Sequence, residues 1–283
     1  MNKRIAVIVA GVAVAGAAFP ALTGGVAGAG SQASSSMPTL SLTLDGRSLT
    51  VSGALQSGAV NVVTNVTGSR HTEPILFRLN PGVPASAFAQ AGAAVAAHKG
   101  DLNYLAPYGS IVFDIAPGTG TSSAQTILQP GNYIAIDLAA AGATPPHAAF
   151  TVTQAAQPAT LPKPGATITA IDFAFHGARR LHDGELVRFQ NSGFVMHQIQ
   201  GIGVRNPAAA KRLTALLLAG DDRQAPKLGT SFPEFAGPLS PGSYQQERII
   251  EKPGTYVLAC IMRTQDGREH TRLGMERTIR IVR

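Results

Sequence analysis

The chain has 283 residues, enough for two domains of ordinary size, and a formal net charge of +7 with only 14% charged side chains. Its 31 Gly and 19 Pro, with 6% aromatics and no Trp, favour a loop-rich, strand-rich chain over a helical one, hence an all-β class of many short strands. One cysteine excludes an internal disulfide. The arginines are scattered without a recognition motif, which argues against nucleic acid as a partner, and no Ser-His-Asp spacing, paired carboxylates or phosphate loop stands out.

From the N-terminus, Lys3 and Arg4 precede an apolar run over residues 5–18, and Ala27-Gly28-Ala29 supplies the small residues of a cleavage site. Residues 1–29 therefore have the form of a secretory signal peptide, and the expected location is secreted or extracytoplasmic. The alternative is an uncleaved membrane anchor, the one route by which a membrane becomes a partner. Residues 30–36 form a small polar spacer. Residues 40–51 alternate apolar and polar, as a strand, a turn and a strand. Pro84 opens an Ala-rich helical stretch up to about His98, and Pro207 opens another over 208–219, each Pro at a favoured first-turn position. Between them, residues 154–165 (QAAQPATLPKPG) read as a linker.

The two segments on either side, 37–153 and 166–283, share a register. Asn65 precedes His71 by six residues, and Asn191 precedes His197 by six. Pro84 to Asp137 and Pro207 to Cys260 are both 53 residues, each ending four residues after a Pro-Gly-x-Tyr (Pro130 to Tyr133, Pro253 to Tyr256). His147 lies ten after Asp137, as His270 lies ten after Cys260. The copies differ in charge: 37–153 carry four basic and five acidic side chains, 166–283 sixteen and eleven. The basic second copy suits an acidic partner or an anionic surface.

Chemistry concentrates at the end of the second copy. Cys260 follows the strand-like run Tyr256-Val257-Leu258-Ala259; a polar loop then leads to His270 and Gly274-Met275, before a strand over 278–282. In an oxidising compartment a lone thiol is best buried or ligated. A thiolate, two imidazoles (His197 and His270) and the thioether of Met275 form a set suited to copper: a His₂Cys plane with a long axial Met.

In these residues the chain resembles the cupredoxins, the blue-copper family of plastocyanin and azurin, over about residues 166–283. The resemblance implies two tandem Greek-key β-sandwiches, each with a short helical insertion, the first degenerate and the second holding one type 1-like copper through His197, Cys260, His270 and Met275. It also implies that His270 faces solvent and passes the electron. Nine residues separate Cys260 from His270, more than in plastocyanin-like members and similar to copper nitrite reductases. Those enzymes carry a His before the Cys for a catalytic copper, and here that position is Ala259, so no enzyme is expected. In the first copy Asp137 replaces the thiolate and no Met follows His147, so a blue site is excluded there; His71, Asp137 and His147 could hold only a harder ion, and a spent structural domain is expected. Asn191 is a candidate loop brace, and His176 and His182 read as surface residues. The expected function is electron transfer or copper handling outside the cell; the alternative is a metal-free exported β-sandwich binding or cell-wall-associated protein with a relic site.

Overall fold

The computed structural model describes residues 37–283 apart from 46, 68–71, 116–119 and 140–144. The expected signal segment, the spacer and His71 lie outside the described residues. Residues 37–283 form one compact unit, predominantly β, with mixed sheets and short helical insertions. Among the described residues no helix is long and apolar enough to cross a membrane.

The first half runs β1 (Thr39–Leu44), β2 (Leu49–Gly53), β3 (Gly58–Val66), β4 (Pro74–Leu79), α1 (Phe88–Ala97), β5 (Gly109–Asp114), β6 (Gly120–Leu128), β7 (Gly131–Asp137) and β8 (His147–Val152). Leu40, Leu42 and Leu44 alternate along β1 and all point inward, as a period of two requires for a sheet with one buried face. The Asp45 carboxylate accepts from the amides of Arg47 and Ser48 and fixes the turn into β2.

The second half repeats the order: β9 (Ala166–Ile171), β10 (Ala174–Gly177), β11 (Arg180–His182), β12 (Leu186–Asn191), β13 (His197–Val204), α2 (Pro207–Ala219), α3 (Ala225–Leu228), β14 (Gly229–Ser231), β15 (Glu234–Leu239), β16 (Tyr244–Arg248), β17 (Gly254–Ala259) and β18 (Glu276–Val282). The helix α2 starts at Pro207 because the Asn206 side chain accepts from the Ala209 amide, and it ends where Gly220 turns left-handed at φ +67°.

Pairing recurs strand for strand. β1 runs antiparallel to β2 and parallel to β3, as β9 does to β10 and β12. β3 pairs β6 as β12 pairs β16; β4 lies between β5 and β7 as β13 lies between β15 and β17; β7 pairs β8 as β17 pairs β18. One feature could not follow from two separate sheets: β16 also pairs β6, at Gln246 and Gln125, so one eight-stranded sheet, β10-β9-β12-β16-β6-β3-β1-β2, crosses both halves. A four-stranded sheet, β5-β4-β7-β8, packs on its first-half portion. A six-stranded sheet, β11-β18-β17-β13 with β14 and β15 both on β13, packs on the other.

Each half has its own core between its layers. In the first, Leu40, Leu42 and Val62 meet Leu76, Phe113 and Tyr133; in the second, Ile168, Val187 and Phe189 meet Phe235, Leu258 and Ile279. Helix α2 covers the outer face of β13 and β17 with Ala210 and Leu213 against Ile202, Val204 and Val257. Met196 of the second half packs among Ile75, Phe77 and Ile134 of the first, and thereby presses the loop before His197 against the neighbouring half. The 154–165 stretch is irregular but tied to both halves, the Ala59 amide donating to the Ala159 carbonyl and Gln246 Nε2 to that of Pro162.

Candidate metal centre

Antiparallel pairing puts the start of β13, the end of β17 and the start of β18 at one end of the six-stranded sheet. His197 opens β13, Cys260 follows β17, and Met275 precedes β18, so three of the four expected ligands are placed by strand register alone. The fourth, His270, begins a 3-10 turn, His270–Leu273. Gly274 closes that turn at φ +90°, a left-handed position suited to glycine, and returns the chain to Met275. The Met275 amide donates to the His270 carbonyl and the Cys260 amide to the Met275 carbonyl.

The structure brings His197, Cys260 and His270 together. His197 Nδ1 lies 3.2 Å from His270 Nδ1, and Cys260 Sγ lies 3.3 Å from His270 Nδ1 and 3.8 Å from His197 Nδ1. All three residues are buried, as is Met275, which shares a hydrophobic cluster with Cys260. The Gln198 amide donates to Cys260 Sγ at 3.4 Å and so favours charge on the sulfur.

The long interval between Cys260 and His270 is accommodated outside the site. Arg263 and Glu269 form a bridge and an ion pair at 3.0 Å, Thr264 accepts from Gly267 and from it the chain turns back, and the His270 amide donates to the Met262 carbonyl. Residues 263–269 are thus closed on themselves as a small exposed hairpin. Between Cys260 and His270 only Met262 also packs against the cluster around the site, so the ligand loop is short and carries an outward insertion.

The partners that orient the imidazoles were not visible in the sequence. Asp172, in the turn between β9 and β10, places Oδ1 3.0 Å from His197 Nε2. Nε2 carries the proton, since its lone pair would face a carboxylate, and Nδ1 is left with its lone pair directed into the site. Asp172 is itself held by the Phe194 and Val195 amides. The next residue, Phe173, takes a left-handed backbone at φ +56°, uncommon for an aromatic residue, and packs edge-on against the His270 ring with the ring centroids 4.9 Å apart. Gly193 completes this side: a Cβ there would collide with the Asp172 carboxylate and stand 2.8 Å from His197 Nε2. Asn191 does brace the loop, donating to the Val195 and Leu239 carbonyls and accepting from the Gly193 amide.

His270 departs from what the resemblance implies. It is fully buried rather than solvent-facing. The first half closes over this side: Asn103 Oδ1 accepts from the Met196 amide, and Met262 packs against the first-half cluster of Ile75, Phe77 and Ile134. His270 is covered because the first half docks on that end of the sheet.

Burial governs protonation. It pushes the Cys260 thiol up to about 12, against the opposing Gln198 and Met262 amides. It holds His270 down to about 4, aided by the neighbouring His197, and lowers His197 despite the Asp172 hydrogen bond. At Asp172 burial works against ionisation, but the Phe194 amide, the His197 ring and the Val195 amide outweigh it and keep the carboxyl low. Without metal the site therefore holds a thiol and two neutral imidazoles. Its donors, one sulfur and two lone-pair nitrogens in a dry pocket, fit a soft or borderline ion such as copper. Because only the thiol has a proton to lose, loading at pH 7 should release about one proton per chain. Titration calorimetry in two buffers of different ionisation enthalpy reads that number; a value near zero would mean that the sulfur stays protonated and unligated.

The corresponding positions of the first half are otherwise engaged. Asp137 is buried, and its Oδ1 accepts from the Glu73 and Ala139 amides. His147 is exposed, with Nδ1 at the Pro145 carbonyl. Among the described residues these two join no cluster of metal-ligating side chains. His176 and His182 are exposed.

No protein-family model and no curated protein matches the chain. Among solved structures it is similar to auracyanin of Roseiflexus castenholzii (17% identity over 41% of this chain and 95% of that one, TM-score 0.26). It is similar also to a purple cupredoxin of Nitrosopumilus maritimus (14%, 41% and 99%, TM-score 0.25) and to a multicopper oxidase (11%, 86% and 88%, TM-score 0.25). At these TM-scores the likenesses establish no family, and the site is read from its own side chains.

Proposed function

We propose that this chain is an exported cupredoxin-like protein that binds one copper through a type 1-like centre and carries electrons or handles copper with it. The observation that carries this reading is the convergence of His197 Nδ1, His270 Nδ1 and Cys260 Sγ within 3.8 Å of one another in a buried pocket, beside the buried Met275. Cys260, His197 and His270 would supply the strong ligands and Met275 a weaker one. Bound there, copper supplies a one-electron couple between Cu(II) and Cu(I), which a mixed sulfur and nitrogen set serves with little rearrangement.

The chain's own residues keep the site rigid and dry. Asp172 and Phe173 fix the imidazoles, Asn191 ties the ligand loop, and the first half shuts out water. The repeated strand pairing supports a duplication, with 37–153 and 166–283 as two Greek-key β-sandwiches joined by 154–165, the first having lost its thiolate. It is a carrier rather than an enzyme: Ala259 leaves a neighbouring catalytic copper without its ligand. The basic second half suits an acidic redox partner or an anionic surface.

The test is a redox cycle on copper-loaded, purified protein. The visible band should bleach with one electron equivalent of reductant and return in full on oxidation, with copper retained on desalting. Loss of copper on reduction, or no retained copper at all, would instead favour the metal-free binding protein.

A further inference from the structure

A second group of potential ligands lies away from the sulfur site, where the two halves meet. Glu73 precedes β4, Asp114 ends β5, and Glu234 opens β15, and one carboxylate oxygen from each lies within 4.8 Å of the others. Two of these acids belong to the first half and one to the second. Asp114 is the telling member: it is 0% exposed, and neither carboxylate oxygen has a hydrogen-bond partner among the described residues. Its backbone amide donates to Gln245 Oε1, so the main chain is satisfied and only the carboxylate is left unmatched.

Two unpaired oxygens in a dry interior cost several kcal/mol if charged, and more with two further carboxylates facing them. Such a group is neutralised either by protons or by a cation. Gly237 of β15 stands against the Asp114 carboxylate, and any Cβ there would occupy its place. Glu234 also lines a cleft of about 490 Å³ at the seam, together with Phe235, Gln246 and Glu247, which gives an ion and its water ligands a way in. Glu73 is positioned by Asp137, whose Oδ1 accepts its amide. The residue that stands where the second half has its thiolate thus supports the acid cluster instead.

We propose that Glu73, Asp114 and Glu234 bind a hard divalent cation that pins the two halves together. Three carboxylates with no nitrogen or sulfur donor among them select oxygen-seeking ions, Mg²⁺, Ca²⁺ or Mn²⁺, over copper. Burial foremost, with Asp137 acting on Glu73 and Glu73 on Glu234, raises the carboxyls, Glu73 to about 7 and Glu234 to about 8, so the ion must displace protons and binding is best examined at pH 8.5. Asp137 repels Glu73 from one side, and Glu247, beside Glu234, is itself pushed well up by burial.

The experiment uses the chelator-stripped full chain with Mn²⁺ as the probe, free ion being counted by electron paramagnetic resonance and stability followed by thermal melting. The wild type should bind one Mn²⁺ and melt higher with it. Asp114→Asn should bind at least ten-fold more weakly while melting, without metal, no lower than the wild type, since it replaces a buried, unmatched carboxyl that only protons neutralise when no metal is bound. Glu234→Gln, from the other half, should lose binding likewise, which covers the case in which Asp114→Asn does not fold. Cys260→Ser should keep full Mn²⁺ binding, separating this site from the sulfur centre. Absence of Mn²⁺ binding at millimolar concentration, or undiminished binding in both carboxylate variants, would overturn the proposal and leave a cluster neutralised by protons.

Discussion

Cys260→Ser should remove the intense thiolate-to-copper band entirely and leave the protein folded. The fold should survive because the hydroxyl is close in size to the thiol and occupies the same pocket at the end of β17. The colour should vanish because a serine oxygen is a hard donor that stays protonated at neutral pH, and only the sulfur supplies the charge transfer. Copper added to the variant should fall back on His197 and His270 with weak, colourless binding. Retention of the band would mean that its origin lies outside the cluster.

Asp172→Ala should weaken copper binding by about 10–100-fold, the usual effect of removing a partner that orients a ligating imidazole. The mechanism lies in the tautomer. With the carboxylate 3.0 Å from His197 Nε2, the proton is fixed on the outer nitrogen and the lone pair on Nδ1; without it, the proton can move to Nδ1 and block ligation. Asp172 also holds the amides of Phe194 and Val195, so part of the loss should appear as loosening of the loop before His197. Gly193→Ala provides a steric version of the same test, since the added methyl strikes both Asp172 and His197. Competition against a chelator of known affinity gives the ratio, and an unchanged affinity in Asp172→Ala would show that the pair does not set the ligand's orientation.

The parts of this arrangement that were legible in the sequence share a property: each is announced locally. Pro253-Gly254 marks the entry to β17, β-branched residues recur in β17 and β18, and Pro207 marks the first turn of α2. The equal spacings in the two halves were legible for the same reason, since a spacing is copied along with the strands that produce it. What escaped are relations between segments far apart in sequence. Asp172 reads as an ordinary turn acid, and its role depends on a turn 25 residues before His197 reaching the same end of the fold. The seam acids Glu73, Asp114 and Glu234 are isolated in sequence and meet only because β5 and β15 lie against each other, Ser240 at the end of β15 donating to the Ile111 carbonyl. The continuous eight-stranded sheet is equally hidden, because the alternation within β6 and β16 specifies a buried face but not which edge will pair. The burial of His270 follows from that docking.

The central claim is that sulfur and two imidazoles of this one cluster share a single metal ion. X-ray absorption at the copper edge of the loaded wild-type protein addresses it most directly, because it counts the atoms bonded to the metal. The account predicts one short sulfur and two nitrogen neighbours. A first shell of nitrogen and oxygen alone would contradict it.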